Sequence, residues 1–384
     1  MENTVVSYFF QFDCVKDFLA RMSESLGFNV IPLFVVAVFL LAILVVIGGL
    51  ALVGGAGTLA ERKISADMQL RYGPNRVGPY GLLQFLADGV KMFLKEDVIP
   101  TDADKFLYLV APVLCIVGVF GTFAVIPFSD GFAITDLNVG VFYLFGISSL
   151  VGVGVFLGGY ASNSKWSLLG GLRGASQIVS YEIPVTLSAL SIVLLAGGLS
   201  FGTIIGAQSN LLEQYSWGHG LPWNWFIFHN PFTIVGFFIF FIGALAEANR
   251  APFDLPEAES ELVSGYLTEY SGMRYAFFAL AEYIEIFVVC GTAVALFLGG
   301  YNVPFKIGGD GIVGQLLQAG VFIGKTFAMY YVVIWVRWTL PRLRVDQLMT
   351  LCWKYLTPIS LFNLIGCAVW MYLFNGKSFL QLFF

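Results

Sequence analysis

Apolar residues gather into eight runs long enough to cross a hydrocarbon core of roughly 30 Å, near 31–55, 107–126, 139–160, 184–206, 231–249, 276–299, 317–336 and 357–374. Polar residues collect between these runs instead of alternating within them. The alternating segments of about ten residues that build a membrane barrel are absent, and helices are the other way to satisfy a backbone in lipid. The pattern predicts an all-α integral membrane protein with eight transmembrane helices in a single membrane domain, residues 1–384. Residues 1–28 add a different pattern. Phe12, Val15, Leu19, Met22 and Leu26 recur at helical spacing with Asp13, Lys16, Asp17 and Glu24 between them, which predicts an N-terminal amphipathic surface helix. Acidic Glu2 and the lack of a basic start argue against a cleaved signal peptide.

Composition excludes an ordinary soluble domain. Of 384 residues, 58% are apolar and 12% charged, against about 25% charged in soluble proteins. The net charge of −5 hides an asymmetry that matters more. Basic residues from Arg62 and Lys63 through Arg173, Arg250 and Arg274 to Arg337, Arg342, Arg344 and Lys354 lie in the connections after spans one, three, five and seven. The connections after spans two, four and six hold only Lys306. The positive-inside rule then places both termini outside, with inner-face loops at 61–106, 161–178, 250–275 and 337–356. The five cysteines are scattered without CxxC spacing, so neither a bound metal nor an iron–sulfur cluster is expected.

Glu247 to Arg274, EANRAPFDLPEAESELVSGYLTEYSGMR, concentrates the ionisable chemistry. It holds Glu247, Asp254, Glu257, Glu259, Glu261 and Glu269 against Arg250 and Arg274. One reading is a solvated loop. The other is a compact folded connection, favoured by Pro252 and Pro256, which interrupt any helix, and by the Tyr270, Ser271, Gly272 turn. Glu182, Glu247, Glu282 and Glu285 lie within or at the ends of spans. Intramembrane acids are candidates for proton paths, and the competing reading is a capped helix end or buried ion pair. Glu182 stands just before Pro184, and Glu282 and Glu285 share a helical face.

The loops carry a family likeness. The ERK start at Glu61, QLRYGPNRVGPYG, ADG followed by Lys91, EANRAPFDLPEAESELVSGY with TEYSGMR, and PRLRVDQLMTLCW followed by Lys354 resemble the quinone-site membrane subunit of respiratory complex I, the NADH:quinone oxidoreductase. The likeness runs from about span one to span eight. One departure is visible, Phe85 after Gln84 where the family usually carries proline.

The resemblance implies a membrane subunit of a proton-pumping oxidoreductase with no redox centre of its own. NADH, flavin and iron–sulfur clusters would belong to partner subunits of the peripheral arm, and quinone would be the substrate. Glu182, Glu247, Glu282 and Glu285 would line a hydrated passage, with Glu257, Glu259 and Glu261 at its inner end. Glu61, Arg62 and Asp88 would surround the quinone channel, with Arg71 and Arg76 supporting its loop. Arg250, Asp254, Arg274, Arg342, Arg344 and Lys354 would organise loops or dock partner subunits, including neighbouring membrane-arm subunits. A bacterial plasma membrane is the expected location. Two other readings stay open, the anchor of a related membrane-bound hydrogenase and a stand-alone secondary transporter, although no repeat relates the two halves.

Overall fold

The computed structural model describes residues 31–209, 220–304, 311–374 and 378–379, without the side chains at 31–43, 45, 46 and 259. The expected surface helix at 1–28 lies outside the described residues. The helices are α1 (Ile31–Met68), α2 (Gln84–Leu94), α3 (Lys105–Phe123), α4 (Gly140–Ala161), α5 (Lys165–Ala196), α6 (Phe201–Ala207), α7 (Pro231–Glu247), α8 (Glu259–Leu262), α9 (Gly272–Phe297), α10 (Ile312–Thr339), α11 (Val345–Thr350) and α12 (Thr357–Phe374). A π-helical turn, Leu351–Leu356, joins α11 to α12. Among the described residues there is no strand. The chain divides into two compact units, Met1–Val53 and Gly54–Phe384, and the elements described below belong to the second.

Among the described residues, six helical stretches are long and apolar enough to cross a membrane: α3, α4, α5, α9, α10 and the continuous Val345–Phe374. α7 is apolar but shorter, 17 residues. Helix ends follow local sequence. Asp104 accepts hydrogen bonds from the amides of Phe106 and Leu107 at the start of α3, and Asn230 with Thr233 forms a capping box before Pro231 at the start of α7.

The span expected near 184–206 differs. α5 begins at Lys165 and ends at Ala196, where Gly197 takes a left-handed conformation, and residues 201–207 form the separate α6. Most of the expected inner loop 161–178 is therefore helix. Pro184 is carried inside α5, where its missing N–H deprives only the Ser180 carbonyl of a helical donor; two residues on, the Thr186 hydroxyl donates to the carbonyls of Glu182 and Ile183, both at 2.9 Å. Glu61 and Arg62 likewise sit on the last turns of α1, not in a loop, and residues 345–356 are helical.

α9 lies at the centre. Its most apolar window is 89% buried, against 28–44% for the other five stretches. Around it, packing relies on small residues, since lipid supplies no hydrophobic force between helices. α4 and α5 approach closest at Gly159 and Gly171, where a Cβ on Gly159 would stand 2.5 Å from the Ser167 carbonyl and 2.9 Å from Gly171 Cα. Both obstacles are backbone, so they cannot rotate away. We expect Gly159→Val to destabilise the fold by about 1–3 kcal/mol or more through overpacking, read as a lowered thermal midpoint of the purified protein in detergent. An unchanged midpoint would show that α4 and α5 can separate freely.

Candidate functional site

The connection between α7 and α9 is folded, not solvated. Phe253, Leu255, Ala258, Leu262, Tyr266, Leu267 and Tyr270 are all buried. It lies against a glycine face of α5. A Cβ on Gly170 would come within 2.7 Å of the Tyr266 amide and 2.8 Å of the Pro256 carbonyl, so only glycine admits the loop backbone there. Gly265 adopts φ +54° and its missing Cβ would overlap the same Pro256 carbonyl. At the far end of the connection, Tyr270 stacks on Tyr108 with ring centroids 4.1 Å apart. The Tyr108 hydroxyl donates to the Glu269 carbonyl at 2.7 Å, and Arg274 lies over the Tyr108 ring while pairing with Asp97 at 3.2 Å.

Arg250 is the hub of this connection. Its side chain is 7% exposed and stands between Glu61 of α1, at 3.6 Å, and Glu282 of α9, at 3.9 Å. Its guanidinium faces the Tyr283 ring at 4.6 Å. Glu61 also pairs with Arg337 from the last turn of α10. Glu282 accepts a 2.7 Å hydrogen bond from the Tyr266 hydroxyl. Burial pushes the Glu257 carboxyl well above the usual range, and the neighbouring Glu282 and Asp254 charges add to that shift while Arg250 opposes it.

The remaining acids meet at two small cavities. Glu247 and Glu285 line one, together with Ser148 and Thr122. Glu247 and Glu182 line the other, with Ser148 and Ser149. In each, the space open to the centre of a water molecule is about 10 Å³, the scale of a single water. One carboxyl oxygen of Glu285 is buried without a hydrogen-bond partner. Such an atom is costly unless the acid is neutral or a water reaches it.

Nearer the surface, Arg62 pairs with Asp88, which also meets Lys91 at 3.5 Å and accepts from Gln84 at 3.0 Å. Glu261 pairs with Arg173 of α5 at 2.6 Å and with Arg342 at 3.4 Å, and the hydrogen bond from Arg173 holds its carboxyl below the usual range. The structure does not draw the other expected residues into these clusters. Arg71 is exposed and bonds Gln69. Arg76 is exposed. Arg344 makes a solvent-exposed pair with Asp346 at 3.7 Å, and Lys354 reaches only the Tyr355 ring. The Glu259 side chain lies outside the described residues.

The family model for NADH dehydrogenase matches residues 23–368. The chain belongs to this family. Proteins named as the H-type subunit of NADH-quinone oxidoreductase are similar to it over most of its length. That of Anaeromyxobacter dehalogenans is 45% identical over 89% of this chain and 83% of its own. Those of Chlorobaculum tepidum and Geobacillus kaustophilus are 50% and 48% identical, each over 82% of this chain and 87% and 88% of theirs. The likeness read from the loops is thereby borne out.

In this NADH dehydrogenase family member, several partners of the acids escaped the sequence reading. Arg337 and Arg173 counted only toward a basic inner face, Tyr266 and Ser148 were given no role, and neither was Asp97, the partner of Arg274. The clearest overlooked signal was Gly170 with Gly174, one turn apart on α5, where Pro256 and the backbone of the connection lie. We expect Tyr266→Phe to cost about 1–3 kcal/mol, because it strips a buried donor from Glu282. Thermal unfolding of the purified subunit against wild type measures it, and an unchanged midpoint would show that the bond carries nothing.

Proposed function

We propose that the chain is the membrane subunit of a proton-pumping NADH:quinone oxidoreductase that admits quinone at its inner face and couples quinone reduction to proton movement. The names of its relatives support the enzyme over a hydrogenase anchor or a stand-alone transporter. The carrying observation is the position of Glu247. It lines both cavities, with Glu285 on one side and Glu182 on the other. α9 continues the series from Glu285 to Glu282, and Arg250 links Glu282 to Glu61. Carboxyls of α1, α9, α7 and α5 thus follow one another through Arg250, the face of α9 and the two cavities.

In this reading, quinone reaches Glu61, Arg62 and Asp88 from lipid, and its reduction demands protons at that end. Arg250 is shared between Glu61 and Glu282, so any change of charge near Glu61 alters what remains for Glu282. A guanidinium drawn toward Glu61 leaves the Glu282 carboxylate less compensated. Glu257 beside it supplies or takes the proton, and the row relays the change to Glu285, Glu247 and Glu182. The connection 250–275 is the element with two arrangements. Arg342, Arg344, Lys354, Arg71 and Arg76 face partner subunits, whose flavin and iron–sulfur clusters deliver electrons. Both termini face outside a bacterial plasma membrane, as the basic inner loops require.

The test is Glu247→Gln in the assembled complex, which keeps shape and removes the ionisable group. Quinone-dependent NADH oxidation and proton pumping are expected to fall together by roughly tenfold or more, the scale of losing a proton relay. Wild-type values of both, at matched assembly, would make Glu247 structural.

A further inference from the structure

The C-terminal end of α9 is held by a cation. The chain leaves the helix through Leu298, Gly299 and Gly300, with φ +75° and +51° at the two glycines. The Lys325 ammonium of α10 donates to the carbonyls of Leu298 at 2.9 Å and Gly300 at 3.0 Å. It also lies 4.9 Å from the centre of the Trp225 ring. Among the described residues no carboxylate pairs with it. A lysine in a membrane helix usually extends its head toward water. This one points instead into carbonyl oxygens that already carry the negative end of the helix dipole.

The surrounding shell is built for that geometry. Gln208, wholly buried, donates to the carbonyls of Ala295 at 3.0 Å and Leu296 at 3.2 Å. Its own carbonyl accepts from the amides of Gly299 at 2.8 Å and Phe226 at 3.2 Å. Gly299 is seated so that a Cβ would stand 2.6 Å from the Trp225 ring. Two carbonyls and an aromatic face converge on one point, with the flanking backbone already satisfied. That is the donor set of a small monovalent cation site.

We propose that the C-terminal end of α9 is a site for a primary ammonium or similar small monovalent cation, occupied by the chain's own Lys325, and that this tethered cation fixes α9 along its axis. Lys325, on α10, is then a positioning residue for Glu285, which lies about 20 Å along α9 from the held end. Its importance to turnover rests on the proposed function. The site itself does not.

The test uses the detergent-solubilised complex carrying Lys325→Ala, so that added amines cannot act by collapsing a gradient. Alanine removes Cγ, Cδ, Cε and Nζ, the atoms that n-propylammonium restores. Hydrogen–deuterium exchange of the 291–300 backbone is expected to accelerate on the order of tenfold. Propylammonium should restore it, and tetramethylammonium, equal in charge but without N–H donors, should not. Wild-type exchange in the variant, or equal rescue by both ions, overturns the proposal. Lys325→Met keeps the stem and tests the charge if the alanine variant assembles poorly; unchanged exchange there also overturns it. Quinone-dependent NADH oxidation is recorded in the same samples. Rescued exchange with unaltered turnover supports the cation site and counts only against the role given to Glu285.

Discussion

A single guanidinium tied to carboxylates from two other elements organises the end of the bundle that carries the connection between α7 and α9. Arg250 comes from the connection, Glu61 from α1 and Glu282 from α9, and Arg337 of α10 completes the set at Glu61. Taking such charges out of water costs several kcal/mol per ion, so the cluster is a weak source of net stability. Removing one member is another matter. It strands the others as uncompensated buried charges, a penalty of about 3–5 kcal/mol. The cluster therefore specifies arrangement. α1, α9, α10 and the connection are correctly placed together or a charge is left bare.

The rest of that end of the bundle makes the placement reachable. The connection can carry Arg250 inward only because Gly170 lets its backbone lie on α5 and because Gly265 turns without a side chain. The Tyr108 and Tyr270 stack then holds the far end against α3. Each device is modest alone. Their joint effect is that an acidic loop, which hydropathy would leave in water, is packed into the bundle with its aromatic residues down. Glu261, on the rim, keeps its charge by pairing with Arg173 and Arg342, whereas Glu257 moves toward the neutral form. Depth decides which acids hold protons.

Much of this was legible in residues and some was not. All-helical architecture follows from apolar runs, because lipid allows few alternatives. The connection's folded nature was visible in its prolines, tyrosines and glycines, and the burial of Tyr266 and Tyr270 agrees. Span boundaries were less legible. Pro184 resembles a helix start in sequence, yet α5 continues through it, because the proline removes one helical donor and the rest of the ladder remains. Arg173 read as a loop charge, although it sits on a helix opposite Glu261. Pairing across the fold was not legible at all. Nothing local marks Arg337 as the partner of Glu61, since the two are brought together only by the packing of α10 against the inner end of the bundle.

Why so apolar a bundle tolerates a row of acids is answered by where each is anchored. Glu61 and Glu282 share a cation, so their cost is met by charge. Among the described residues no cation pairs with Glu285 or Glu247, and both line a cavity of single-water size. Glu282 and Glu285 stand one turn apart on a single face of α9, so one helix carries both a charge-compensated acid and one that faces a cavity. The cluster at Arg250 and the cavities beside Glu247 are thus two different answers, opposite charge and polar space, to the one cost of burying a carboxyl among apolar helices.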